Sequence, residues 1–318
     1  MLVRCPRLID LHRLNRDALR AELAAGLLAP AAHIAPKFLY DRLGSHLFAA
    51  ITEVAEYYPT RIEASIFADR AGEVAAAAGT GLTLVDLGAG DGAKAAALFP
   101  ALRPRRYVAV DISVDFLVDS LAYLQFRHPE MDIVGVGCDF SSRLEIPPEA
   151  GDGPRVLFYP GSSIGNFTPE EALAFLRQVR AACLGGGLLI GFDLVKEQAV
   201  LDAAYDDALG VTAAFNRNLL NVVNRELDAD FRVSDFRHVA FFDPAQSRIE
   251  MHLEARHTVT VRWPGRERTF LPGERIHTEN SYKYRVDRAR DLLVAAGFGT
   301  PQVWTDARGW FALFWAPA

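Results

Sequence analysis

The sequence predicts an α/β fold built on a parallel, nucleotide-binding sheet, and the segment 82–94 is the first observation behind that prediction. An apolar stretch at 82–87 leads into a loop with glycines at 88, 90 and 92, and an alanine-rich, helix-favouring run follows. Strand, glycine loop and helix in this order begin a nucleotide-binding βαβ unit, because glycine allows a tight turn and a close approach to a ligand. The spacing is G-x-G-x-G rather than G-x-G-x-x-G, which disfavours a nicotinamide dehydrogenase.

Acidic residues at the ends of the next two predicted strands are the second and third observations. Asp111 ends a strand at 107–111, at the distance from the glycine loop where an acid holds the ribose hydroxyls of a nucleotide. Asp139 and Phe140 follow a strand at 133–136, and a carboxylate beside an aromatic ring suits the edge and face of adenine. Ordinary strand-end turns explain each feature taken alone. The three strand ends together favour a ligand site.

A fourth strand, at 156–159, leads into a polar loop that contains Asn166. Ligands of open α/β sheets bind beyond the carboxyl ends of the strands, so we expect Asn166 in the site, with an Asx turn as the alternative. Thr168 is the predicted N-cap of the next helix, since Glu170 and Glu171 would occupy its first turn. A fifth strand is predicted at 188–193.

The pattern changes after Lys196, and this change predicts a second domain. Helices are predicted at 8–29, 198–209 and 212–226, and an antiparallel meander at 236–271. A helix at 286–296 and strands at 302–305 and 310–315 would complete the first domain. We therefore predict one domain from residues 61–195 and 285–318, and an α+β domain from residues 1–60 and 196–284. A cleft between them is the expected ligand site.

Composition excludes several classes of function. The chain has 318 residues, 50% of them hydrophobic, which is enough for a large core. The net charge of −6, with no long basic run, disfavours nucleic-acid binding. Three distant cysteines and scattered histidines predict no metal site, free thiols and a cytoplasmic location. The sequence has no apolar run long enough to predict a membrane span or a signal peptide. It also lacks the G-x-S-x-G motif that would predict a hydrolase. The oligomeric state is not determined, although we expect a monomer.

These features look like those of a methyltransferase that uses S-adenosylmethionine. More specifically, the chain resembles the L-histidine Nα-methyltransferases of ergothioneine biosynthesis, from about residue 36 to its end. The shared segments are PKFLYD at 36–41, EYYPTR at 56–61, GSSIGNF at 161–167, DLVK at 193–196, AYDDA at 204–208, GVTAAFNRN at 210–218, VNREL at 223–227, RIEM at 248–251 and TENSYK at 278–283. The resemblance implies a Rossmann-like class I methyltransferase sheet, with a substrate-binding domain formed by the N-terminal segment and an insertion.

The resemblance also implies a role for individual residues. The methyl donor, S-adenosylmethionine, would be bound by Gly88, Lys94, Asp111, Asp139 and Phe140, with Tyr40 and Phe48 near its sulfonium. The amino-acid substrate would be bound by Tyr57, Asn166, Tyr205, Thr212, Met251, Glu279 and Ser281. Among these, Asn166 and Tyr205 would hold the amino-acid backbone, and Glu279 and Ser281 the imidazole. Asn166 and Tyr40 would be the residues on which catalysis depends, and no metal is implied.

The implied reaction is methylation of the α-amino group of L-histidine, up to the trimethylated product hercynine, as the first step of ergothioneine biosynthesis. One alternative is the same fold acting on another amino acid or amine. A second alternative is a catalytically silent, methyltransferase-like binding module. The joint presence of Asn166, Tyr205, Glu279 and Ser281 argues against a silent module, which has no physical need for all four.

Overall fold

The structure is a computed structural model that describes residues 4–11, 16–141 and 143–318. The strands are β1 (Arg7–Asp10), β2 (Thr83–Leu87), β3 (Arg106–Asp111), β4 (Asp132–Gly137), β5 (Arg155–Tyr159), β6 (Gly187–Asp193), β7 (Phe236–Asp243), β8 (Arg248–Ala255), β9 (Val259–Trp263), β10 (Arg266–Phe270), β11 (Arg275–Tyr282), β12 (Gln302–Thr305) and β13 (Phe311–Pro317). The helices are α1 (Arg16–Leu28), α2 (Arg42–Glu53), α3 (Tyr58–Ala78), α4 (Ala93–Leu102), α5 (Val114–Arg127), α6 (Pro169–Ala182), α7 (Gln198–Tyr205), α8 (Val211–Leu227) and α9 (Val286–Ala295).

The predicted α/β fold is confirmed by an eight-stranded sheet with the order β1-β4-β3-β2-β5-β6-β13-β12. Strands β1 to β6 are parallel to their neighbours, whereas β13 is antiparallel to both β6 and β12. The five predicted strands of the parallel part lie within one residue of β2 to β6 at both ends. From β2 the chain adds β3 and β4 on one side and then β5 and β6 on the other. Ligands of such sheets bind at the point where the strand order reverses in this way.

The parallel strands are buried on both faces, as expected for a sheet covered by helices. Alternate residues of β2 enter different apolar clusters: Val85 and Leu87 pack with Phe175 and Leu293, while Leu84 packs with Phe67 and other residues on the opposite face. The period-2 alternation of side chains explains the two clusters. The loops at the carboxyl ends of β2 to β6 therefore start directly from largely buried strands.

The chain forms two compact units, and we name each by its main feature. The sheet unit consists of Met1–His12, Pro59–Val195 and Lys283–Ala318, and the insertion unit consists of Arg13–Tyr58 and Lys196–Tyr282. In the insertion unit β7, β8 and β11 form one antiparallel sheet, while β9 and β10 form a separate hairpin. The predicted meander is therefore wrong in its strand order, because β7 and β11 occupy both edges of β8.

Two predicted helices also differ from the structure. The helix predicted at 8–29 is wrong at its start, because β1 pairs with β4 at the sheet edge and α1 begins only at Arg16. Residues 12–15 of that prediction lie outside the described residues. Strand β1 thus joins the sheet unit, although the predicted boundary had assigned residues 1–60 to the second domain. The helix predicted at 198–209 ends at Tyr205, because Asp207 instead caps α8 by accepting hydrogen bonds from the N–H groups of Val211 and Thr212.

Candidate functional site

The glycine loop between β2 and α4 has the backbone conformation that glycine alone adopts easily. Gly88, Gly90 and Gly92 have φ angles of 73°, 55° and 71°, a left-handed region in which a Cβ is strained. A Cβ on Gly88 would lie 3.6 Å from Cζ of Phe140. The structure therefore brings Phe140, at the end of β4, against the loop that follows β2.

The carboxylate of Asp111 holds the glycine loop from the end of β3. Its Oδ2 accepts a hydrogen bond from the N–H of Gly90 at 2.9 Å, and its Oδ1 accepts one from the N–H of Ser113 at 2.9 Å. Burial raises the pKa of Asp111, and the backbone donors oppose that rise because they favour the charged form. Each carboxylate oxygen can accept a second hydrogen bond, so Asp111 retains the capacity to bind ligand hydroxyls.

Asp139 and Phe140 follow β4 as a carboxylate and a fixed aromatic ring. Oδ1 of Asp139 accepts hydrogen bonds from the N–H of Ser141, at 3.1 Å, and from the hydroxyl of the same residue. Phe140 packs edge-to-face on Tyr159, with ring centroids 6.0 Å apart, and lies 5.9 Å from the ring of Phe175. These contacts hold the ring of Phe140 at the carboxyl edge of the sheet.

Lys94 is held by a buried carboxylate that sequence reasoning missed. Glu63 of α3 is fully buried, and its Oε2 lies 2.7 Å from Nζ of Lys94, whose side chain is 31% exposed. Its Oε1 accepts a hydrogen bond from the N–H of Gly161 at 2.8 Å. A glutamate in a helix usually faces solvent, so no sequence signal marked it. One side chain therefore ties the helix after the glycine loop to the loop after β5.

That second loop carries Asn166 in a 3-10 turn at Ser163–Asn166. Ser162 adopts a left-handed conformation, with φ of 58°, and its Oγ accepts a hydrogen bond from the N–H of Asp193 at 2.8 Å. The half-buried amide of Asn166 has no hydrogen-bond partner within the described part of the chain. The predicted cap is confirmed, since Thr168 and Glu171 form a reciprocal capping box at the start of α6.

Four aromatic residues predicted for the site form one continuous cluster in the insertion unit. The ring centroids are 5.6 Å apart for Tyr40 and Phe48, 6.2 Å for Phe48 and Tyr57, and 6.3 Å for Tyr57 and Tyr205. Phe215 of α8, which sequence reasoning did not select, contacts both Tyr40 and Phe48. Each of the three pairs has an edge-to-face geometry, which aromatic quadrupoles favour.

Helix α8 is rich in asparagine, and the side chains of Asn218 and Asn224 form hydrogen bonds with other segments of the insertion unit. Asn218 donates to Oδ1 of Asp41 at 2.8 Å, and Asp41 in turn caps α2 through the N–H of Gly44. The amide of Asn224 makes two hydrogen bonds with the backbone of Phe231. Asparagine is a middling helix former, and here its side chains satisfy polar groups that neighbouring segments leave open.

A β-bulge in β11 decides which way Glu279 and Ser281 point. His277 lies opposite His252 of β8, but Glu279 lies opposite Met251, so the register slips by one residue at Thr278. Without the slip Glu279 would lie opposite Glu250, on the other face of the sheet, because side chains alternate along a strand. The bulge therefore places Glu279 and Ser281 on the same face as Met251.

The hydroxyl groups of Tyr205 and Ser281 meet on this face. The Tyr205 hydroxyl donates to Oγ of Ser281 at 2.7 Å, and both side chains are buried. Glu279, Met251 and Thr212 are buried as well. The structure thus gathers seven of the predicted residues in the insertion unit, namely Tyr40, Phe48, Tyr57, Tyr205, Met251, Glu279 and Ser281, through ring contacts, a hydrogen bond and strand pairing.

The described residues contain no cluster of three or more side chains that could hold a metal ion. Across the same residues, every helix is too short or too polar to span a membrane.

Comparisons with known proteins relate the chain to one protein family. The sequence profile of the family described as "Histidine-specific methyltransferase, SAM-dependent" matches residues 19–318. The chain is 42% identical over 304 residues to the "Histidine N-alpha-methyltransferase" of Mycolicibacterium smegmatis, covering 93% of this chain and 94% of that protein. It is 42% identical over 303 residues to the protein of the same name from Mycobacterium tuberculosis, with the same two coverages.

A more distant relative is "Ergothioneine biosynthesis protein 1" of Neurospora crassa. It is 29% identical over 290 residues, which cover 84% of this chain and 31% of that longer protein.

Proposed function

Because the chain belongs to the family of histidine-specific, S-adenosylmethionine-dependent methyltransferases, we propose that it methylates the α-amino nitrogen of L-histidine, up to three times. The observation that carries this proposal is the buried pair formed by Tyr205 and Ser281, with Glu279 on the same face of the sheet. These groups bring two hydroxyls and a carboxylate to one face of the sheet, and the ring of Tyr205 also packs on the ring of Tyr57. That chemistry suits a small polar ring.

We assign the methyl donor to the sheet unit. Asp111 would accept hydrogen bonds from the ribose hydroxyls, because its oxygens are held by backbone N–H groups and keep free lone pairs. Asp139 and Phe140 would contact the edge and face of adenine, and the turn at Gly88 would let the backbone approach the ligand. Glu63 already orients the ammonium of Lys94, and the remaining N–H groups of that ammonium would donate hydrogen bonds to S-adenosylmethionine.

We assign the imidazole of the substrate to Glu279 and Ser281. A carboxylate accepts from the ring N–H, and a hydroxyl bonds to the other ring nitrogen, so the pair engages both nitrogens. Asn166 and Tyr205 are assigned to the amino and carboxylate groups of histidine. Met251, Thr212 and Tyr57 would line the pocket. Buried polar groups of this kind reject analogues that lack the matching partners, by up to roughly 10⁴-fold.

The chemistry is a displacement at the methyl carbon of a sulfonium. The lone pair of the amine forms the new N–C bond, the C–S bond breaks, and a neutral thioether leaves with its electrons. Alignment of the two reactants can lower the barrier by roughly 7–11 kcal/mol. The α-amine must lose a proton before each transfer, and water or a tyrosine hydroxyl would take that proton. The third transfer leaves a permanent cation, which the faces of Tyr40 and Phe48 would stabilise.

The proposal is tested by incubating the protein with S-adenosylmethionine and each of the twenty amino acids in turn, then weighing the products. We expect a single substrate, histidine, and a final product that carries three added methyl groups. This product, hercynine, would place the enzyme at the first step of ergothioneine biosynthesis. A higher kcat/KM for another amino acid would favour a same-fold enzyme with a different substrate, and no product with any amino acid would favour a silent binding module.

Asn166→Ala gives a sharper test of the residue assignment, with Glu267→Gln at an exposed position of β10 as the control variant. Loss of the amide should weaken histidine binding far more than donor binding, because the half-buried amide has no other partner within the described residues. Calorimetry with each ligand separates the two affinities. Intact histidine affinity in Asn166→Ala would remove Asn166 from the substrate site.

A further inference from the structure

His238 of β7 makes a hydrogen bond with each of its ring nitrogens, in a site that sequence reasoning did not assign. Its Nε2 lies 2.8 Å from the carbonyl oxygen of Tyr205, the last residue of α7. Its Nδ1 lies 2.9 Å from Nδ2 of Asn216, and the same Nδ2 lies 3.0 Å from the carbonyl oxygen of His252. The ring thus bridges α8 and the end of α7.

These contacts determine the tautomer of His238. A carbonyl oxygen only accepts hydrogen bonds, so Nε2 must carry the proton that faces Tyr205. The amide of Asn216 cannot be flipped, because only its NH₂ group can donate to the carbonyl of His252. One amide hydrogen then goes to that carbonyl and the other points at Nδ1, which must therefore be bare. The ring is neutral, with its single proton on Nε2.

The surroundings of the ring favour the same neutral form. Burial lowers the pKa of His238, and Arg217 of α8 acts in the same direction. The N–H donation to the carbonyl of Tyr205 and the carboxylates of Asp206 and Asp207 oppose that fall. A proton on Nδ1 would point at the NH₂ group of Asn216, whose nitrogen is only 2.9 Å away. The amide cannot turn its oxygen towards that proton, because its NH₂ group donates to the carbonyl of His252.

We propose that His238 is a positioning residue for substrate recognition, because its Nε2–H holds the backbone of Tyr205 and so aims the Tyr205 hydroxyl at Ser281. The contacts of Tyr205 include its carbonyl on His238, its ring on Tyr57 and its hydroxyl on Ser281. The inference rests on the proposed role of Tyr205 in binding the amino acid. His238 contacts no reacting atom in this scheme and acts only through Tyr205.

Steady-state kinetics with two substitutions at this position test the proposal. His238→Ala removes the donor to Tyr205, and we expect the KM for histidine to rise about tenfold, as for one lost hydrogen bond. kcat and the KM for S-adenosylmethionine should change less than about twofold. His238→Gln can place its own Nε2–H near the same carbonyl, so we expect it to restore the KM for histidine to within about threefold of the original protein. A purely structural role would lower kcat and both affinities together, without rescue by glutamine.

A second measurement needs no substitution. Long-range ¹H–¹⁵N correlation of the histidine rings in the unmodified protein reports the protonation of each nitrogen, and we expect a neutral Nε2–H ring for His238 at pH 7. A charged ring, an Nδ1–H ring, or an unchanged KM for histidine in His238→Ala would overturn the inference. If Tyr205→Phe leaves histidine binding unchanged, the proposed role of Tyr205 fails instead, so the two failures are distinguishable.

Discussion

The carboxylate of Glu63 lies 2.7 Å from the ammonium of Lys94, in a position fully shielded from solvent. Gly191 of β6 makes room for it, since a Cβ there would come within 2.3 Å of Oε1 of Glu63. The other contact of Glu63, with the N–H of Gly161, reaches the loop that carries Asn166. A single buried charge therefore supports both a residue proposed for the donor and a loop proposed for the substrate.

Glu63→Gln should destabilise the sheet unit. An amide offers one acceptor where the carboxylate offers two, so either Lys94 or the N–H of Gly161 loses its partner, at a cost of about 3 kcal/mol in the free energy of unfolding. The control is Arg70→Gln on the same helix, which removes an exposed ion pair and should leave the free energy of unfolding nearly unchanged. Urea titration measures both, and equal losses in the two variants would contradict a buried role.

Gly88→Ala should weaken donor binding beyond its effect on stability. Gly81 has nearly the same φ, 72° against 73°, but a Cβ on Gly81 would meet no atom within 4 Å. Both alanine variants should therefore lose about 1–2 kcal/mol of stability from the left-handed conformation. Only Gly88→Ala should reduce the affinity for S-adenosylhomocysteine, by about tenfold or more, which calorimetry detects. An equal affinity in both variants would place the donor elsewhere.

Asp86→Asn should change how stability depends on pH. Asp86 is buried in β2, where one oxygen accepts from the hydroxyl of Tyr107 at 2.8 Å, and burial raises the pKa of Asp86 to about 7. Between the unfolded value near 4 and pH 7, the folded state holds a proton that the unfolded state releases. The free energy of unfolding of the original protein therefore falls as the pH rises through this window. The Asp86→Asn variant does not show this fall, because its amide does not titrate.

Relative to the original protein, Asp86→Asn should gain on the order of 2–3 kcal/mol between pH 5 and pH 8, measured by denaturant titration at both values. Asp132→Asn in β4 is the matched control. Arg106 and Arg7 hold the pKa of Asp132 below its usual range against the opposing effect of burial, so its contribution is lost only in more acidic solution. A constant difference between Asp86→Asn and the original protein across this pH range would show that Asp86 stays ionised.

Tyr205→Phe should reduce histidine affinity while leaving donor affinity unchanged. The variant removes the hydroxyl that bonds to Ser281, with an expected rise of about tenfold in the KM for histidine and a loss of about 1 kcal/mol in stability. Tyr123→Phe is the control, because the side chain of Tyr123 is 60% exposed on α5. If both variants have the same KM for histidine, the Tyr205–Ser281 pair takes no part in substrate recognition.

The elements that could be predicted from the sequence are those whose signal is local. Apolar runs of strand length predicted β2 to β6, and Thr168 with Glu171 forms the expected cap, because a few neighbouring residues contain all the relevant interactions. The three strand-end positions Gly88, Asp111 and Phe140 were also accessible, since parallel strands bring their carboxyl ends to one edge. Glu279 and Ser281 were reached only through family resemblance.

The tertiary structure alone decided the rest, because the decisive contacts join residues distant in the chain. Glu63 and Gly161 are 98 positions apart, and Tyr205 and Ser281 are 76 apart. The one-residue slip at Thr278 changes which face Glu279 occupies, yet strand register depends on the partner strand and leaves no trace in the local pattern. The tautomer of His238 likewise follows from two carbonyl groups that only the folded chain brings within hydrogen-bonding distance of His238 and Asn216.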